Sequence, residues 1–84
     1  MDTEQELKKV FACTFNVHLE KISSGTRQFE LQEWDSLGQL RLIMEIEEAF
    51  HVSFLIEEIP ALDTFEKMAA SVKTKLENNR RSRQ

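Results

Sequence analysis

The residues best placed for chemistry in this sequence stand together in "WDSL", residues 34–37. Ser36 supplies a hydroxyl, Asp35 supplies a carboxylate beside it, and the apolar-periodic run "GQLRLIMEIEEAF" follows. A serine becomes a nucleophile when a base activates it and a third group orients that base. No base and no glycine-rich loop accompany Ser36 in this stretch. His18 and His51 lie far apart, and neither has Cys or acidic neighbours at zinc-ligand spacing. Both read as surface or capping residues. The carboxylates of "EIEE", 45–48, would need burial or a fixed orientation for acid–base work, so a solvated helix face is the simpler reading. The chain offers no Ser–His–acid order that so small a bundle could assemble.

What stays open to Ser36 is modification. A serine between a loop and an apolar-periodic run is ordinarily an N-cap. The start of a helix also presents free N–H groups and the positive end of the helix dipole. A phosphoester on the Ser36 oxygen would gain on the order of 0.3–1 kcal/mol there at low ionic strength. Asp35 can take the cap if the helix begins at Ser36. It is also a candidate cation ligand during phosphoryl transfer.

Several elements must hold this site. Residues 3–15 carry Leu7, Val10, Phe11 and Phe15 on one helix face, and Thr3 with Glu6 has capping-box spacing. Asn16 suits the left-handed residue that closes such a helix. Residues 17–34 show no sustained period, with a turn at "SSGT". Val17, Ile22, Phe29, Leu31 and Trp34 give this long loop apolar anchors that should lie on the core. The second helix is expected over about 36–50 and a short third over about 55–60, ended by Pro60. The last begins after Asp63 or Thr64, where Asp63 and Glu66 repeat the capping-box spacing. Phe65, Met68, Ala69, Val72 and Leu76 give it an apolar face, and the tail from about 78 to 84 loses that period and is expected to fray.

The whole chain, residues 1–84, makes one domain, and a chain of this size buries only roughly 60–65% of its unfolded surface. Two Gly and one Pro are too few for a hairpin-rich protein. The net charge of −4 and pI near 5.1 repel nucleic acid and favour basic partners. The single Cys13 cannot make an internal disulfide, so a reducing compartment is expected; in its helix it reads as an inert packing residue. No membrane span and no signal-peptide core are visible. A cytoplasmic monomer is the expectation.

On a helical wheel of residues 36–50, Leu42, Ile43, Ile46, Ala49 and Phe50 share one broad side. Leu37, Leu40 and Met44 share an adjacent side, while Gly38, Arg41, Glu45 and Glu48 form the polar arc and Glu47 lies between the apolar groups. The second apolar sector starts beside Ser36. It is either the far side of a well-buried central helix or, rimmed by Glu45, Glu47 and Glu48, a docking surface for a basic partner. Periodicity alone leans towards the buried helix.

"WDSLGQLRLIMEIEEAF" resembles the phosphopantetheine-attachment region of acyl carrier proteins, in which Asp-Ser-Leu opens the second helix. The likeness covers roughly residues 5–77, including the first helix, the long loop and "LDTFEKMAA" at the last helix. It implies an all-α, four-helix bundle with three main helices, a short third and a long first loop. It also implies a 4′-phosphopantetheine arm on Ser36, installed from coenzyme A by a phosphopantetheinyl transferase with help from Asp35. Acyl groups would ride on the arm as thioesters between loading, modifying and unloading enzymes. Those enzymes would bring basic docking patches to Leu37, Leu40, Met44, Glu45, Glu47 and Glu48. The domain itself would not be an enzyme. Gly38 and Arg41 stand where fatty-acid carriers more often have acids, as in stand-alone carriers of specialised pathways. His51 stands where relatives commonly have Gly, and Leu55 and Ile56 where they have polar residues. An aminoacyl, D-alanyl or peptidyl carrier is the alternative within the class, and a helical interaction module is the alternative outside it.

Overall fold

A computed structural model describes the backbone of residues 2–82 and the side chains of residues 2–78. Three α-helices dominate it: α1 (Thr3–Phe15), α2 (Ser36–Phe50) and α3 (Phe65–Ser82). Two 3₁₀ turns, Leu19–Lys21 and Ile56–Ala61, lie in the connections, and among the described residues only isolated β-bridges interrupt the helical pattern. This is the expected all-α bundle, with the short third helix wound as 3₁₀. Pro60 lies inside that turn instead of ending it.

Helix α1 buries Leu7, Phe11 and Phe15, one face at the predicted spacing. Asn16 closes it in the left-handed region at φ 55° and ψ 50°. Its N-cap is Asp2, whose carboxylate accepts the Glu4 N–H at 3.2 Å, in place of the expected Thr3. At α3 the Thr64 hydroxyl accepts the Lys67 N–H at 3.1 Å, while Asp63 pairs with the Lys67 ammonium. A hydroxyl one residue nearer the helix displaced the carboxylate from the cap in that case. Helix α3 runs through Ser82, beyond the end of its apolar period near residue 78; Arg83 and Gln84 lie outside the described residues.

The long loop is part of the core and caps the last helix. Ile22 and Trp34 are buried, with Val17 and Leu31 packed against the same cluster. The first amides of α3 have no partners within their own helix. Thr26 O accepts the Phe65 N–H at 2.8 Å and Ser24 O accepts that of Glu66 at 3.2 Å. Phe29 breaks the expectation: it is 69% exposed and sits at φ 74°. A bulky residue rarely adopts that backbone; here its N–H is held by the Trp34 carbonyl at 2.8 Å.

Aromatic packing fixes the middle of the bundle. The Trp34 ring meets Phe11 edge-on, centroids 5.0 Å apart, and stacks near Phe15 at 6.1 Å. Phe65 of α3 completes the cluster at 5.1 Å from Phe11. A loop residue two places before Ser36 is thereby anchored at the centre of the molecule.

Candidate functional site

The position of Ser36 follows from its two predecessors. Trp34 is locked in the aromatic core, and Asp35 leaves it in extended backbone at φ −100°, ψ −164° to begin α2. The Asp35 carboxylate accepts the Gly38 N–H at 2.8 Å, and its carbonyl accepts the Gln39 N–H at 2.8 Å. Asp35 is the N-cap, so the helix does not use Ser36 for that purpose. Ser36 is exposed, and among the described residues none hydrogen-bonds its hydroxyl. Apart from the Asp35 cap, no acidic residue sits in the first turn of α2. The hydroxyl therefore stands free, at the end of a helix where an anionic ester is favoured.

Gly38 explains how the loop comes so close. A Cβ at this position would lie 2.1 Å from the Glu33 carbonyl oxygen and 3.2 Å from the Phe15 ring. Only glycine lets the first turn of α2 lie directly on the loop that delivers Ser36. The wheel put Gly38 on the polar arc, where its lack of a side chain carried no message; in the structure it is buried.

Gln39, also missed by sequence, is the buried polar centre of the site. Its side-chain oxygen accepts the Trp34 indole N–H at 2.6 Å, and its amide nitrogen donates to the carbonyls of Ile59 and Leu62, each at 3.0 Å. The signal available was a polar residue on the same side of the wheel as Leu42, Ile43 and Ile46.

The wheel of α2 resolves in favour of two faces. Leu42, Ile43 and Ile46 are buried, Phe50 is half-buried, and Ala49 is exposed at the edge. Leu37 (78% exposed), Leu40 and Met44 (67%) face outward as a row beginning beside Ser36. They are not core residues. Glu45 and Glu48 are exposed along this helix. Glu47 is half-buried, and its carboxylate accepts the Phe54 N–H at 2.9 Å, so it shapes the turn after α2 as well as contributing charge. His51 ends the helix in the left-handed region at φ 57°, the role glycine usually fills.

Beyond α2, Leu55 and Ile56 are also exposed apolar residues, Ile56 at 85%. The Glu58 carboxylate accepts the Leu55 N–H at 2.7 Å and meets the Lys75 ammonium at 3.0 Å. These contacts, the Leu55 amide foremost, hold its carboxyl below the ordinary glutamate range. The same ammonium lies over the Phe54 ring, 4.8 Å from its centroid.

Cys13 is not the packing residue its helix suggested. It is exposed and lines a shallow groove between α1 and α2 with Val10, Ala49 and Phe50. Among the described residues, no group of His, Cys, Asp and Glu is arranged to hold a metal ion. No described helix is long and apolar enough to cross a membrane.

No family model matches the chain. An acyl carrier protein from Buchnera aphidicola subsp. Schizaphis graminum is 32% identical to it over 66 residues, covering 79% of this chain and 84% of that relative.

Proposed function

Because the chain belongs to the acyl carrier protein family, whose members carry cargo and are not enzymes, we propose that Ser36 is the residue that bears its 4′-phosphopantetheine arm. One observation carries the reading: Asp35 takes the helix cap, which leaves the Ser36 hydroxyl exposed and without a partner at the positive end of α2. The residues fit the group. The phosphate would meet the N-terminal end of α2, where the helix dipole favours an anion, and a flexible arm leaving Ser36 would have open solvent around it. When bound, the arm supplies a terminal thiol on which an acyl group is carried as a thioester.

The chain's own residues do the rest. Trp34 and Gly38 hold the attachment turn still, so a transferase meets a fixed hydroxyl. Asp35 keeps one carboxylate oxygen on the Gly38 amide at 2.8 Å and leaves the other for the cation that accompanies phosphoryl transfer. Leu37, Leu40 and Met44 form an apolar docking row, and Glu45, Glu47 and Glu48 supply negative charge beside it. Partner enzymes that load, modify and unload the cargo would present an apolar hollow ringed by Lys or Arg. Gly38 and Arg41 keep the first turns of α2 free of acids, which suits partners of a specialised pathway such as polyketide synthesis at least as well as those of general fatty acid synthesis. The reading places a monomer in the cytoplasm.

The test is intact mass after incubation with coenzyme A and a broad-specificity phosphopantetheinyl transferase. One phosphopantetheine increment is expected for the wild type and none for Ser36→Ala. An unmodified wild type, alongside a control carrier that is modified, would leave a helical interaction module in place of a carrier.

A further inference from the structure

Gln39 is 4% exposed, and each of its polar groups is committed. Its oxygen holds the Trp34 indole, and its nitrogen holds the carbonyls of Ile59 and Leu62. These partners belong to two segments. One is the loop that ends at Asp35 and sets where Ser36 stands. The other is the strap from residue 52 to residue 62, which carries the exposed Leu55 and Ile56.

The strap is anchored at its ends by buried Val52 and Leu62, with Phe54 and Ile59 against the core, and is otherwise held by polar tethers. No residue from Ser53 to Ala61 is buried. The tethers are the Glu47 carboxylate on the Phe54 amide, the Lys75 ammonium on Glu58, and the two bonds from Gln39. Segments with few buried contacts are the first to open in a native protein. On the other side, Trp34 passes any displacement on, because its carbonyl accepts the Phe29 N–H at 2.8 Å. Phe29 stays in its left-handed backbone with the help of that bond. The Asp35 carbonyl likewise accepts from the Gln28 side chain at 3.3 Å.

We propose that Gln39 is a positioning residue that makes the strap and the loop before Ser36 move together. Its single amide group cannot follow the Ile59 and Leu62 carbonyls without disturbing its bond to the Trp34 indole. A cargo or partner that shifts the strap is then felt at the attachment turn. Loaded and empty carriers would present different surfaces to a partner touching that turn. This meaning rests on Ser36 being the attachment residue; the coupling itself is a property of the unmodified chain.

Amide hydrogen exchange on the unmodified protein tests it. Lys75→Met removes the strap's tether at Glu58. In the otherwise wild-type chain it should speed exchange at Leu62, and by about five-fold at Phe29. In Gln39→Leu the response at Leu62 should persist and that at Phe29 should fall several-fold, the remainder passing through the Gln28 N–H bond to the Asp63 carbonyl at 2.8 Å. Trp34→Phe keeps an aromatic ring against Phe11 and Phe15 but removes the indole donor. It should give the same result, and it serves if Gln39→Leu does not fold. A general loss of stability would raise both amides in every background. The proposal fails if Phe29 ignores Lys75→Met in the wild type, or answers it equally when Gln39 or Trp34 is replaced. Neither failure touches the attachment of the arm, which intact mass reads separately.

Discussion

Replacing Gly38 with alanine sets two principles against each other. Within a helix, Gly→Ala ordinarily stabilises by about 0.5–1 kcal/mol. Here the new methyl would sit 2.1 Å from the Glu33 carbonyl oxygen, a backbone atom that cannot swing aside. The loop must retreat by roughly 1 Å to restore ordinary contact. Overpacking of this kind costs about 1–3 kcal/mol. The retreat also strains the Asp35 cap on the Gly38 amide, a bond of 2.8 Å; losing a cap costs about 0.5–2 kcal/mol. The helix-propensity gain roughly cancels the strained cap, so the overpacking remains and Gly38→Ala should destabilise by about 1–3 kcal/mol. For a domain of this size that is on the order of 5–20 °C in melting temperature. Urea unfolding followed by helical circular dichroism measures the stability, and the rate of phosphopantetheine attachment measures the displacement of Ser36. Both should fall. A Gly38→Ala protein as stable as the wild type and modified as fast would refute the close approach of α2 to the loop.

Other predictions bear on the remaining parts of the site. Met44→Glu and Glu48→Lys should each weaken turnover by a partner enzyme while changing stability by no more than about 0.5 kcal/mol, as exposed positions do; unfolding of either would return that face to the core. Glu58 has a lowered carboxyl pKa, with the Leu55 amide as first cause and Lys75 assisting. Its contribution to stability is therefore present above the unfolded-state value and is lost as pH falls through the folded one. Urea midpoints measured across mildly acid pH should show a decline that Glu58→Gln makes shallower. Cys13 should react with a thiol reagent in the native state at the rate of a free exposed thiol, and Cys13→Ser should leave arm attachment unchanged. Slow reaction that waits on unfolding would show the thiol to be buried.

Much of this was legible in the sequence because it rests on local rules. The face Leu7, Phe11 and Phe15, the left-handed closures at Asn16 and His51, and the cap at Asp35 each depend on residues within one or two turns. Sequence could not decide between core and surface for Leu37, Leu40 and Met44. Both readings share one periodicity, and only the placement of α1 and the strap settles which side of α2 is covered. Gly38 and Gln39 escaped notice for a related reason. The first matters because of Glu33 and Phe15, and the second because of Ile59 and Leu62, twenty residues and more along the chain. Phe29 was misjudged because an aromatic residue in a loop is usually an anchor. Here Trp34 fills the core, and the loop's hydrogen bonds turn Phe29 outward. Cys13 lies in the open groove between α1 and α2, where its side chain stays exposed.

The most direct measurement is where the added mass sits. After the transferase reaction, the protein is digested and its fragments, those with Cys13, Ser23, Ser24 and Thr26 as well as those with Ser36, are sequenced by tandem mass spectrometry. The phosphopantetheine should be found on Ser36 alone, with Ser23, Ser24, Thr26 and Cys13 bare. An arm on any other side chain, or none on a protein that an active transferase has had every chance to modify, would contradict the assignment of Ser36 as the tether.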